Sequence, residues 1–172
     1  RLVDYEVLKD AQNKRITGFG RYAGIVGAYN GFLTYGLQTK SFELKPAHLC
    51  HDRKEVESEL KKVKLPSNFR CVLTGFGKVG HGAREIISLL PIKEVSAESF
   101  LNDTHLEPVF THLDTHQYFA RKADNGFDKA DFYANPENYK SNFAAFAQIA
   151  DMYIPCHFWS AKSPLILTQD ML

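Results

Sequence analysis

The sequence has few cysteines, no long apolar run and no excess of charge of either sign. Its three cysteines in 172 residues are an odd and sparse set, which argues against a disulfide framework and favours the reducing cytoplasm. No apolar segment approaches the roughly 20 residues of a membrane-spanning helix, and no signal peptide is visible. Because 21 basic side chains balance 20 acidic ones, we expect neither a nucleic acid nor a membrane as a partner.

The length and composition are those of one globular domain with an appendage. The chain can bury one good core, and 44% of its residues are hydrophobic, which is usual for such domains. It starts without an initiator methionine and stops at "LILTQDML" without a closing turn. We therefore expect it to be a piece of a longer protein.

A glycine motif lies in the segment "RCVLTGFGKVGHGAREIISLLP", where Gly75, Gly77 and Gly80 fit the spacing G-x-G-x-x-G. An apolar strand precedes it, an amphipathic helix follows it, and "IKEVSAE" offers a second strand. Such glycines allow a tight turn, let backbone N–H groups approach a pyrophosphate and let helix and strand pack closely. The pattern predicts an α/β fold, a Rossmann-type parallel sheet with flanking helices. A purely structural glycine turn is the alternative.

The same pattern names the candidate cofactor residues. The turn and the first helical turn contribute six: Gly75, Phe76, Gly77, Lys78, Val79 and Gly80. Glu98 lies 21 positions after Gly77, where an acidic side chain accepts from the ribose hydroxyls of NAD, and no arginine follows that would favour NADP. A solvated loop glutamate is the alternative for Glu98. Cys156, at the end of an apolar strand, is expected in the core or in the wall of the cofactor site.

The patterns of the other segments predict secondary structure but no specific function. "RLVDYEVL" reads as a strand, and residues 22–37 as a helix whose Gly24, Gly27 and Gly31 indicate close approach of another helix or of a ligand. Asp52 is expected to cap a further helix. Between about 100 and 140 the sequence is aromatic and polar without a sustained period, which indicates an insertion with short helices. "DMYIPCHFW" is expected to be a strand.

The histidines do not form a metal motif. His112 and His116 have the i, i+4 spacing of a helical metal pair, but no H-E-x-x-H or C-x-x-C companion occurs in the sequence. We therefore expect both to be surface histidines and predict no metal.

Three segments together resemble the NAD-dependent, lysine-forming saccharopine dehydrogenases, within the wider alanine dehydrogenase and transhydrogenase superfamily. They are "DYEVLKDAQNKRITGFGRYAGIVGA", "VLTGFGKVGHGA" and "ADMYIPCHFWSAKSPLILTQDML". The family's glycine signature, G-x-x-G-x-x-G-x-G-A, is matched by Gly77, Gly80 and Gly82, whereas its first glycine falls on Thr74. Residues 100–140 have no counterpart that we can place.

The resemblance implies roles for residues near the N-terminus. Glu6 matches a carboxylate near the active centre of the family, in its D-x-E-F-L-E stretch. Arg15, in a double-basic segment with Lys14, would neutralise a substrate carboxylate or a cofactor phosphate, to which its planar fork is suited. The resemblance also implies a division into residues 1–50, bordering the active-site cleft, and residues 51–172, a C-terminally incomplete NAD domain.

The implied reaction is the oxidative deamination of saccharopine, a secondary amine, to lysine and 2-oxoglutarate, with NAD as cofactor and this small-molecule amino acid as substrate. The family's catalytic lysine and histidine precede its carboxylate stretch, so we expect this chain to bind NAD without turnover. An alanine-dehydrogenase-like enzyme, a non-catalytic NAD-sensing module and a structural or interaction domain remain open alternatives. So does assembly into a homo-oligomer.

Overall fold

The computed structural model describes residues 4–171 of the chain. The strands are β1 (Arg70–Thr74), β2 (Lys93–Glu94), β3 (Val109–Leu113), β4 (Phe119–Arg121), β5 (Tyr139–Ser141) and β6 (Met152–Pro155). The helices are α1 (Gly20–Thr39), α2 (Arg53–Leu60), α3 (Lys78–Ile87), α4 (Ala97–Asn102), α5 (Thr115–Tyr118), α6 (Lys129–Ala134) and α7 (Ala144–Ala147). Short 3-10 segments occur at Tyr5–Val7, Ala47–Leu49, Pro136–Asn138 and Gln169–Met171.

A four-stranded parallel sheet in the order β2-β3-β1-β6 forms the centre of the fold. The α/β, Rossmann-type prediction is thereby confirmed, together with β1, α3 and β6. The second predicted strand, however, is short and does not pair with β1. The segment "IKEVSAE" forms only the two-residue strand β2 at the sheet edge, and β3 lies beside β1 along its whole length, from Arg70 opposite Val109 to Thr74 opposite Leu113.

Two helices, α1 and α3, pack against one face of the sheet, and their backbones approach each other very closely. A Cβ at Gly24 would lie 1.9 Å from the carbonyl oxygen of Val79, and one at Gly82 would lie 2.0 Å from that of Arg21. The backbones therefore approach so closely that only glycine fits at either crossing point. Helix packing thus explains Gly24, as predicted, whereas a Cβ at Gly27 would meet nothing within 4 Å.

The sheet separates two apolar clusters, because successive side chains of a strand point to opposite faces. One cluster joins α1, α3 and residues such as Cys71 and Leu73 of β1. The other holds Val72 with mostly aromatic side chains from the second half of the chain; its buried members are Val72, Phe100, Val109, Leu113, Tyr118, Phe119, Phe132, Tyr139, Phe143 and Phe146. Both faces of the sheet are therefore covered.

The aromatic segment contains more regular structure than expected. It holds short helices, as predicted, and a small antiparallel pair of β4 with β5. It also contains β3, a fully buried central strand of the sheet. The stretch following β3 (residues 114–141), here called the insertion, packs its aromatic rings on the second cluster through Phe119, Phe132 and Tyr139.

The N-terminal segment differs from its prediction. Tyr5–Val7 forms a 3-10 turn capped by Asp4 instead of a strand, and residues 1–3 of the predicted strand lie outside the described residues. Asp52 does cap α2, since its carboxylate accepts from the backbone N–H of Glu55. Helix α1 contributes to the same core as the sheet. The division of the chain at residue 50 stays a prediction.

Candidate functional site

A cleft of about 220 Å³ opens at the carboxyl ends of β1, β3 and β6. Four segments line it: the glycine turn after β1, the chain that leaves β3, helix α6 of the insertion and the chain that leaves β6. Their residues are Gly75, Phe76 and Gly77, then Asp114, Thr115, Tyr118 and Phe119, then Lys129, Phe132 and Tyr133, and finally Cys156, His157 and Phe158. In open parallel sheets, ligands bind at the carboxyl ends of the strands, at the topological switch point. Here that point is β1, because β3 lies on one side of it and β6 on the other.

Each glycine of the turn has a different environment. Gly75 has φ +93° and lies against the chain after β6, where a Cβ would come within 2.6 Å of the carbonyl oxygen of Cys156. A Cβ at Gly80 would lie 1.7 Å from the carbonyl oxygen of Gly75. These two positions need glycine for the fold itself. Gly77 differs, because its φ is −84° and a Cβ there would meet nothing within 4 Å.

Helix α3 begins directly after this turn, with Gly77 as its N-cap and Lys78 as its first residue. Its first turn contains no acidic side chain, so the partial positive charge of the helix end is uncompensated. Val79 does not line the cleft but packs beside Gly20 and Gly24 of α1. Of the six predicted turn residues, the first three therefore line the cleft, and the last three form the helical turn beneath it.

The side chain of His112, in β3, contacts two residues of the glycine turn. Its Nε2 lies 2.8 Å from the carbonyl oxygen of Gly75, and its ring stacks on Phe76 with 3.9 Å between centroids. The side chain is buried, which lowers its pKa, and its Nδ1 has no hydrogen-bond partner among the described residues. The expectation of a surface histidine is wrong for His112, whereas the side chain of His116 is exposed.

Asp114 occupies the place that the sequence assigned to Glu98. It follows β3, the strand beside β1, and its backbone and side chain form a capping box with Gln117 of α5. Glu98 lies instead in α4, in a shallow depression with Ser96 and Ser99, and does not line the cleft. The expected position of Glu98 is wrong because β2, the strand that precedes it, pairs with β3 and not with β1.

The chain that leaves β6 contributes a hydrogen-bonded imidazole. His157 Nδ1 lies 2.8 Å from the hydroxyl of Thr74, which lies 3.1 Å from that of Tyr153. Burial lowers the pKa of His157, so its ring is neutral at neutral pH. Burial also raises the pKa of the neighbouring Cys156 thiol to about 11. The thiol is therefore protonated. Cys156 both lines the cleft and packs against the first apolar cluster, and a contact with a cofactor stays a prediction.

The structure does not bring the two N-terminal candidates into this cleft. Glu6 and Arg15 form an ion pair with each other, and both side chains are about half exposed. Neither is among the described residues that line the cleft. Within residues 4–171, no group of three or more His, Cys, Asp or Glu side chains is arranged to hold a metal ion. No helix in the same range is long and apolar enough to cross a membrane.

Sequence reasoning missed Asp114, Lys129, Tyr133 and His157. An indication of the first was present, because "PVFTHLD" is a short apolar run ended by an acidic residue, the pattern of a buried strand with a polar residue at its carboxyl end. The surrounding aromatic segment obscured it. Lys129 and Tyr133 belong to a six-residue helix whose position depends on distant contacts.

A parallel sheet with a glycine turn opening a helix at its central strand defines the class of Rossmann-like α/β folds. The chain is similar to three alpha-aminoadipic semialdehyde synthases: 29% identical to a mitochondrial one from Rattus norvegicus, 28% to a mitochondrial one from Mus musculus and 28% to one from Arabidopsis thaliana. Each match covers 99% of this chain, but only 21%, 21% and 19% of the relative. The chain thus spans about a fifth of the length of these relatives.

These matches confirm the resemblance to a saccharopine dehydrogenase-like fragment. No protein-family profile matches the chain.

Proposed function

We propose that the chain is the NAD-binding part of a dehydrogenase that acts on a secondary-amine amino acid, converting saccharopine to lysine and 2-oxoglutarate. Two findings support the proposal. The relatives are alpha-aminoadipic semialdehyde synthases that match nearly the whole chain, and the cleft combines a glycine turn, a helix N-terminus and an acidic residue on the adjacent strand.

The open space at Gly77 is the observation on which the proposal mainly depends. Gly75 and Gly80 are explained by close contacts within the protein, whereas Gly77 has an ordinary φ and no neighbour that a Cβ would touch. A glycine that the fold does not require, at the mouth of a cleft and at the start of a helix, is explained by a ligand whose phosphates approach the backbone closely.

The residues around the cleft suit the parts of a dinucleotide. Backbone N–H groups of the glycine turn and of the first turn of α3 would bind the pyrophosphate, and the Asp114 carboxylate would accept from the ribose hydroxyls. The nicotinamide, when bound, would accept the hydride from the substrate carbon that bears the amine. His157, a neutral imidazole held through Nδ1 by Thr74, would hold or release a proton at its other nitrogen.

Several finer points belong to the same proposal. An acidic residue beside the ribose favours NAD over NADP, because a carboxylate repels a 2′-phosphate. The partner would be a small-molecule amino-acid substrate, and assembly into a homo-oligomer stays a prediction. Cytoplasmic location also stays a prediction, and two of the relatives compared above are named as mitochondrial.

Calorimetry with NAD tests the proposal on the full chain, with Gly77→Ala as the variant and Gly27→Ala as its matched control. A Cβ at either position meets nothing within 4 Å, but only Gly77 lines the cleft. We expect wild type and Gly27→Ala to bind NAD equally and Gly77→Ala to bind at least tenfold more weakly, with its unfolding free energy changed by less than about 1 kcal/mol. No binding by the wild type, or equal binding by Gly77→Ala, contradicts the proposal.

A further inference from the structure

Helix α6 of the insertion is the one wall of the cleft that the Rossmann-like sheet does not supply. It contributes Lys129, Phe132 and Tyr133 to the lining. The insertion also lines the cleft with residues 114–119, which follow β3 directly, and the remaining lining residues directly follow β1 and β6. The presence of α6 at this place has no explanation in the sheet itself.

The helix is anchored through Phe132. This side chain is only 4% exposed, stacks on Phe119 with 5.0 Å between ring centroids, and meets Tyr139 edge to face at 5.1 Å. Asp128 caps the helix by accepting from the backbone N–H of Asp131. Because Phe119 follows β3 closely, α6 rests on the chain that leaves β3, which is also the side of the cleft on which Asp114 lies.

Lys129 and Tyr133 are four residues apart and therefore share one face of α6. Both line the same cleft as the glycine turn, and 55% of Tyr133 is exposed, so a large part of its aromatic surface is uncovered. The ion pairs found among the described residues of the insertion join Arg121 to Asp124 and to Asp131, and His116 Nδ1 lies 3.7 Å from the Asp114 carboxylate. Lys129 takes part in none of them.

We propose that α6 forms the adenosine wall of the nucleotide site, with the Lys129 ammonium paired to a phosphate and the Tyr133 ring packed on the adenosine. The inference rests on the proposed function and assigns a role to the insertion. Lysine binds phosphate as a point charge. The first turn of α3 has no acidic side chain that would compete with the phosphate for the Lys129 ammonium. Adenosine is the half assigned to α6, because α6 lies on the side of Asp114, where the adenosine ribose would bind.

Binding of four ligands to the full chain tests the inference: NAD, ADP-ribose, adenosine and nicotinamide mononucleotide. Lys129→Gln removes the charge, and Lys140→Gln is the matched control, because Lys140 lies in the same insertion but does not line the cleft. We expect Lys129→Gln to bind NAD and ADP-ribose at least tenfold more weakly and adenosine unchanged. We also expect a less steep fall of its ADP-ribose affinity with salt than in the wild type.

Tyr133→Ala separates the two halves of the dinucleotide. It should weaken NAD, ADP-ribose and adenosine at least fivefold and leave nicotinamide mononucleotide unchanged. Both side chains are exposed, so the thermal midpoint of each variant should stay at the wild-type value. If the wild type binds NAD but Lys129→Gln behaves as Lys140→Gln does, or Tyr133→Ala weakens only the mononucleotide, this inference is wrong and the proposed function stands. If the wild type binds no NAD, both are wrong.

Discussion

The Nε2 of His112 lies 2.8 Å from the main-chain carbonyl oxygen of Gly75, and this contact joins the strand β3 to the glycine turn. Gly75 has φ +93°, a conformation that the turn requires and that few other residues adopt. The ring of His112 also stacks on Phe76. One side chain of the neighbouring strand therefore positions two successive residues of the turn.

Substitution of His112 tests this positioning role. His112→Leu removes the donor and leaves the Gly75 carbonyl buried without its partner, so we expect a loss of about 1–3 kcal/mol in unfolding free energy and at least tenfold weaker NAD binding. His112→Gln retains an N–H donor and should recover part of both losses. Denaturant titration and calorimetry measure the two quantities. Wild-type affinity in His112→Leu would show that the turn keeps its shape unaided.

Cofactor preference should depend on Asp114 and not on Glu98. Asp114→Asn keeps the cap of α5, since asparagine caps as well as aspartate, but removes the charge that would repel a 2′-phosphate. We expect the ratio of NAD affinity to NADP affinity to fall at least tenfold in Asp114→Asn and to stay unchanged in Glu98→Gln. The reverse result would restore Glu98 to the role that the sequence suggested.

The crossing of α1 and α3 should tolerate no side chain at Gly24. Gly24→Ala places a Cβ 1.9 Å from the Val79 carbonyl oxygen, so the helices must separate, and we expect a loss of about 1–3 kcal/mol or more. Gly27→Ala lies on the same helix and meets nothing within 4 Å; it should be neutral or up to about 1 kcal/mol stabilising. Thermal unfolding of both variants measures the difference, and equal midpoints would disprove the close contact.

Glu85 of α3 links three helices and should contribute a pH-dependent part of the stability. Its carboxylate accepts from Arg21 of α1 at 2.7 Å and from Arg53 of α2 at 2.9 Å. These hydrogen bonds, first that of Arg21, lower the pKa of Glu85 from 4.5 to about 2. The ionised form is favoured in the folded state, so the stabilisation is complete above about pH 4.5 and is lost as the pH falls towards 2.

Glu85→Gln should remove this part of the acid dependence. Because the side chain is partly exposed, we expect a loss of no more than about 1 kcal/mol at neutral pH, and a smaller difference from the wild type at pH 2. Glu43→Gln serves as the control, since Glu43 is exposed and makes no ion pair among the described residues. Unfolding measured at several pH values gives the curves, and parallel curves for wild type and Glu85→Gln would count against the network.

Much of the nucleotide unit could be predicted because its signals are local. Within 18 residues the chain forms the strand β1, the turn with Gly75, Gly77 and Gly80, and the helix α3. Each of these depends on backbone conformations or apolar periods that neighbouring residues set. The cap of α2 by Asp52 was predictable for the same reason. Close helix packing at Gly24 was also indicated, although the sequence could not name α3 as the partner.

The parts of the fold and of the cleft that could not be predicted depend on pairing between segments distant in the sequence. The sequence by itself determined that a glycine turn joins a strand to a helix, because the geometry of that turn is a property of adjacent residues. Only the tertiary structure decided that β3 and not β2 lies beside β1, that Asp114 and not Glu98 therefore lines the cleft, and that α6 forms part of its wall. Which strands pair, and which helix covers them, follows from the burial of apolar surface across the whole chain, and no single segment contains that information.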